Sequence, residues 1–79
     1  MNAPAPFTRA AFDADIAALL HLAPAELAGQ DDPLDAGLDS VRLMMLVENW
    51  RRRGIEVGFV ELVERRSFAA WWSLITARL

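Results

Sequence analysis

The chain of 79 residues contains no cysteine and no lysine, one histidine, four glycines and four prolines. Without cysteine there is no disulfide framework, no zinc–thiolate site and no thiol nucleophile in the polypeptide, so any sulfur chemistry must be imported. A single histidine with no second ligand at i±3 or i±4 offers no metal pair, and His21, at an expected helix end, reads as a capping or surface residue. Apolar runs fall far short of the roughly 18 residues that a membrane span needs, and the opening Met1-Asn2-Ala3-Pro4-Ala5-Pro6 carries no basic segment ahead of an apolar stretch. The expectation is therefore a cytoplasmic protein with no membrane partner. Length sets a further limit. A chain this short buries only about 60% of the surface that its unfolded form exposes, which disfavours a deep self-contained active site and points to function on the surface.

Apolar residues make up 54% of the chain and charged residues 24%, which excludes a disordered tail. The net charge of −3 is unevenly distributed: residues 1–40 carry −6 and residues 41–79 carry +3. An acidic isoelectric point argues against nucleic acid as a partner, and Arg51-Arg52-Arg53 has a simpler account as cations placed at a helix C-terminus. Asp31, Asp32, Asp35 and Asp39 lack the alternating spacing and central glycine of a calcium loop and read as a solvated acidic loop.

The apolar periodicity predicts an all-α bundle of three main helices and one short one, with a long first connection, forming one domain over residues 1–79 behind a flexible lead of residues 1–6. The first helix runs from about Thr8, an N-cap candidate, to Leu22, with Phe12, Ile16, Leu19 and Leu20 on one face and Pro24 as its stop. Residues 23–39 form the connector. A second helix starts at Asp39 or Ser40 and runs to Arg53, where Gly54 can supply a left-handed cap. Phe59, Leu62 and Val63 mark a short third helix. Ser67 caps a final helix whose stripe is Phe68, Trp72, Ile75 and Leu79, widened by Trp71 and Leu74. Trp50 and Trp72 are the expected core indoles.

The second helix carries a surplus. Leu43, Leu46, Val47 and Trp50 already complete a core stripe, yet Val41, Met44 and Met45 project elsewhere. They form either a widened core with ordinary exposed apolar atoms or a docking patch in which methionine adapts to several partners. Ser40 is likewise open to two readings, a helix N-cap or an exposed hydroxyl at a helix N-terminus that favours an attached phosphate. It is not a hydrolytic nucleophile, because Gly37-Leu38-Asp39-Ser40-Val41 is not a G-x-S-x-G elbow and His21 is distant in the chain. Asp39 could ligate a metal for a visiting enzyme that handles a magnesium-bound phosphate donor.

The string Asp35-Ala36-Gly37-Leu38-Asp39-Ser40-Val41-Arg42-Leu43-Met44-Met45 resembles the phosphopantetheine attachment motif of acyl and peptidyl carrier proteins. Val41-Arg42, Trp50-Arg51, Phe59-Val60 and Ala70-Trp71-Trp72 are similar to the aryl carriers of siderophore-type nonribosomal peptide assembly, a likeness that spans roughly Asp32 to Ile75. Familiar aryl carriers often follow an isochorismatase domain, so the chain reads either as free-standing or as an excised domain. The resemblance implies a four-helix carrier fold and a non-catalytic role. It implies covalent 4'-phosphopantetheine on Ser40, placed there by a phosphopantetheinyl transferase that Leu38 and Asp39 help to receive. An adenylating enzyme would load the arm with an aryl or aminoacyl group, an aryl acid such as a hydroxybenzoate first, and a condensation domain would accept the thioester. Phe59, Val63 and Met44 would line the face such partners read, with Val41 and Met45 beside them, and the carrier would act as a monomer. The alternatives are a peptidyl, fatty-acyl or polyketide carrier and a small helical adaptor with no covalent cofactor.

Overall fold

The computed structural model describes residues 7–79, so the lead over residues 1–6 lies outside the described residues. Among the described residues six helices and no strands follow in order: α1 (Arg9–Leu20), α2 (Pro24–Leu27), α3 (Pro33–Ala36), α4 (Ser40–Arg52), α5 (Phe59–Val63) and α6 (Phe68–Thr76). The three long helices and the short α5 are those predicted from periodicity. None of the six is long and apolar enough to cross a membrane.

Helix boundaries follow local chemistry. Thr8 caps α1 by accepting from the Ala11 N–H at 3.1 Å. The far end departs from expectation, because the helix stops at Leu20 rather than Leu22. His21 adopts the left-handed conformation (φ 57°), and the Leu22 N–H turns back to the Ala17 carbonyl at 2.8 Å. These bonds satisfy carbonyls that a helix end leaves bare, so the stop is made before Pro24 is reached. Pro24 instead opens α2, where its fixed φ and missing N–H suit a first helical position.

The connector is more structured than a loop. Pro33 opens α3, and Asp32 caps it by accepting from Leu34 N at 2.9 Å. Leu27, Pro33 and Leu38 are buried, fastening the segment from below. The aspartates fasten it sideways, which corrects their reading as a merely solvated loop. Asp31 accepts from the Ser67 hydroxyl at 2.7 Å and the Ala69 N–H at 3.1 Å, while its own carbonyl accepts from Phe68 N at 2.8 Å. Asp32 accepts from Arg66 at 3.0 Å. The connector is thus bonded to the start of α6. The Ser67 hydroxyl and the Ala69 N–H hold the Asp31 carboxyl below its ordinary range.

The core joins Phe12, Ile16, Leu43, Leu46, Trp50, Leu62, Phe68, Trp71 and Ile75 with buried residues of the connectors. Burying an indole requires a partner for its N–H. Trp50 Nε1 donates to Asp15 of α1 at 2.9 Å, and Arg53 donates to the same carboxylate oxygen at 2.6 Å. Trp71 Nε1 donates to the carbonyls of Leu62 (2.9 Å) and Arg65 (2.6 Å). This pairing corrects the expected stripe of α6: Trp71 is buried at the centre and Trp72 is half-buried, its ring against Phe7 and Phe12 at 5.9 and 5.4 Å. Leu79 lies beyond the helix end and is exposed, so the buried series is Phe68, Trp71 and Ile75.

Two predictions follow from the packing. Trp50→Ala and Trp71→Ala should each cost about 3–5 kcal/mol, enough to unfold a domain of this size near room temperature, while Trp72→Ala should cost clearly less. Far-ultraviolet circular dichroism during urea titration ranks them, and a larger loss for Trp72→Ala than for Trp71→Ala would reverse the assignment. The second concerns acid. The Arg78 guanidinium and the Gly58 N–H lower the Glu61 carboxyl from 4.5 to about 2, and Asp31 and Asp39 are also lowered. Groups more acidic folded than unfolded stabilise the fold fully above their unfolded values and lose that contribution as pH falls through the folded ones. Stability should therefore hold down to about pH 5 and decline towards pH 2. Glu61→Gln should flatten this acid limb in thermal melts taken across that range.

Candidate functional site

The surface where α3, α4 and α5 meet is built from Gly37 onward. Gly37 closes α3 in the left-handed region (φ 108°), where a side chain would be strained, and its N–H donates to Leu34 O at 3.1 Å. Leu38 then turns into the core, 5% exposed, and its N–H donates to Pro33 O at 3.0 Å. The backbone is pinned on both sides of the turn that delivers Asp39 and Ser40 to the start of α4.

Asp39 takes the capping role. In extended geometry, it accepts from the Arg42 N–H through Oδ1 at 2.8 Å and from the Arg42 guanidinium through Oδ2 at 2.7 Å. Arg42, chiefly through its backbone N–H, holds the Asp39 carboxyl below its usual range. Of the two helix-start candidates, Asp39 is the cap because it precedes the first helical residue and its carboxylate reaches the third N–H of the turn. Ser40 is that first helical residue, exposed, and its hydroxyl enters none of the hydrogen bonds among the described residues. A free hydroxyl at the N-terminus of a 13-residue helix fits the attachment of a phosphate ester, since first-turn N–H groups and the helix dipole favour an anion there.

The apolar surplus of α4 is at the surface. Val41, Met44 and Met45 are 68%, 58% and 55% exposed, while Leu43, Leu46, Val47 and Trp50 fill the core. Their exposure removes the widened core and leaves two readings, ordinary exposed apolar atoms or a docking patch. On α5, Val63 is exposed and Phe59 half-buried. Beside Ser40 a cleft of about 160 Å³ separates α4 from α5, with Leu34, Leu38, Leu43, Phe59 and Val63 among its walls and Arg65 and Arg66 at its edge. Leu34, which lines the cleft, and Val60 on α5 are also exposed apolar residues, and the sequence assigned neither of them to docking. Val60 sits in a five-residue helix, too short for periodicity to separate its faces.

The other side chains of note play different parts. His21 closes α1 and is exposed. Arg51 and Arg52 occupy the last turn of α4, as their sign suggests, and Arg53 is tied to Asp15 with its guanidinium 5.0 Å from the Phe7 ring centroid. Among the described residues no cluster of three His, Asp or Glu side chains stands ready for a metal ion.

Comparison with known proteins agrees with this geometry. The family described as "Phosphopantetheine attachment site" matches residues 12–75. The acyl carrier protein ScoB of Streptomyces coeruleorubidus is 48% identical over 75 residues, covering 95% of this chain and 88% of ScoB. Isochorismatase of Bacillus subtilis is 56% identical over 63 residues, 80% of this chain but 20% of that protein. Enterobactin synthase component B of Escherichia coli is 38% identical over 76 residues, 96% of this chain and 26% of that protein. No solved structure matches. The expected carrier fold and the imported phosphopantetheine cofactor stand, and the chain belongs to the phosphopantetheine-attachment family of carrier proteins.

Proposed function

We propose that Ser40 carries the 4'-phosphopantetheine arm and that the chain delivers an aryl acyl group, of the hydroxybenzoate type, within siderophore-type nonribosomal peptide assembly. The observation that carries the attachment site is a hydroxyl outside every hydrogen bond among the described residues: Asp39 caps α4, so modification of Ser40 removes none of those bonds. The aryl branch is supported by relatives named isochorismatase, enterobactin synthase component B and phenyloxazoline synthase, the last 54% identical over 41 residues.

Each residue then has a part. The Ser40 oxygen attacks the phosphorus that joins pantetheine to the rest of coenzyme A. A new O–P bond forms, adenosine 3',5'-bisphosphate departs, and a base of the transferase takes the serine proton. Leu38 contributes from below, by anchoring the turn, because its side chain is buried. Asp39 presents Ser40 through the cap, with a carboxylate that is already ionised. When attached, the arm supplies the thiol on which the acyl group rides. Carriers of this family are generally not catalysts, and here the loading and accepting reactions belong to an adenylating enzyme and a condensation domain. Val41, Met44, Met45, Phe59 and Val63 form the surface those partners read. The chain works as a monomeric domain over residues 1–79 in the cytoplasm, where coenzyme A is at hand.

A phosphopantetheinyl transferase with coenzyme A should add one phosphopantetheine, read as intact mass, and Ser40→Ala should abolish the addition. Because Ser40 is not the cap, this variant should keep its stability within about 0.5 kcal/mol of the parent. Modification that survives Ser40→Ala would remove the assignment, and no modification of the parent would favour the adaptor reading.

Met44→Asp should leave the melting temperature within a few degrees, since the side chain is mostly in water. It should slow transfer of the loaded acyl group to a condensation domain by about tenfold or more, because apolar contacts near an interface centre commonly carry about 2 kcal/mol. A transfer assay and a melt on one preparation decide the matter; unchanged transfer excludes Met44 from docking.

A further inference from the structure

Helix α5 has five residues and one fully buried side chain, Leu62, so it cannot hold its shape alone. Its position is imposed from α6 at both ends. At the C-terminal end, the Trp71 indole takes the carbonyls of Leu62 and Arg65. At the N-terminal end the grip is Arg78, just past the end of α6. Its Nη1 donates to the Glu56 carbonyl at 2.9 Å and to Glu61 Oε1 at 2.8 Å, and its Nη2 pairs with Glu61 Oε2. Glu61 Oε1 also accepts from the Gly58 N–H at 3.0 Å, which closes the first turn of α5. One guanidinium therefore fixes both the segment leading into α5 and the carboxylate that starts the helix. The planar fork makes this grip, which a single point charge cannot reproduce.

The side chains that α5 turns to solvent, Val60 and Val63, take no part in these bonds. Their placement relative to Met44 depends on how α5 is held.

We propose that Arg78 is a positioning residue for acyl transfer: it holds α5 in the orientation that an accepting domain reads, without touching that domain or the pantetheine arm. The proposal rests on the reading of α5 as part of the docking surface. It assigns a functional role to a residue outside the attachment motif and outside the exposed apolar patch.

The test uses the full chain, modified at Ser40 from hydroxybenzoyl-coenzyme A, and a condensation domain chosen because it accepts from the parent. Arg78→Gln should raise the KM for the carrier about fivefold or more with kcat within about twofold, the pattern of lost binding rather than lost chemistry. The rate of Ser40 modification should stay within about twofold of the parent, and amides of residues 60–63 should exchange with solvent about fivefold faster while those of α4 do not change. Glu61→Gln retains an acceptor for Gly58 and should give the same KM, with the double variant no worse than either single one, because the two residues act as one unit. Additive effects would mean that Arg78 meets the partner directly, and faster exchange throughout α4 would mean general destabilisation; either result overturns the proposal. Met44→Asp in the same assay separates the two layers. If it raises KM while Arg78→Gln does not, the positioning role fails and the docking surface stands; if it has no effect, the docking surface fails and the proposal falls with it.

Discussion

Two buried indoles and their need for hydrogen-bond acceptors organise this fold. A chain of 79 residues has little interior to spare, and each tryptophan brings into it an N–H that cannot be left unpaired. Trp50 solves this with Asp15, which joins α4 to α1, and Arg53 balances the carboxylate from the surface. Trp71 uses the carbonyls of Leu62, in α5, and of Arg65, just beyond it, and so joins α6 to α5. The apolar contacts fill in around these two ties.

The start of α4 shows the same economy. A helix start needs an acceptor for its first N–H groups, and here Asp39 supplies it. The adjacent serine is thereby released from structural duty, and its hydroxyl remains outside the described bonds. Buried Leu38 and left-handed Gly37 fix the turn beneath it, so a flexible arm attached to Ser40 would leave a rigid base. Asp31 and Asp32 extend that rigidity by bonding the connector to the residues around the start of α6.

The surface around Ser40 combines firm and lightly held parts. Met44 and Val41 stand on a 13-residue helix whose opposite face is core. Val60 and Val63 stand on a five-residue helix held by its two ends. The hold on α5 comes from Trp71 of α6 and from Arg78 just after it, late in the chain.

Much of this was legible along the chain. The three long helices and α5 follow from apolar spacing, Thr8 and Ser67 from capping chemistry, and the carrier family from its likeness to the run between Asp35 and Met45. The surplus of Val41, Met44 and Met45 was visible because a helix has one core-facing stripe and theirs is not on it. These are local relations, set by residues within two or three turns of one another. Only the tertiary structure decided which of two adjacent tryptophans enters the core, since that depends on carbonyls in α5 and just after it. It decided that Asp31 and Asp32 fasten the connector and that Arg78 grips α5, because their partners lie 17 to 38 residues away in the chain. A charged side chain read from sequence has many eligible partners, and spatial proximity selects among them.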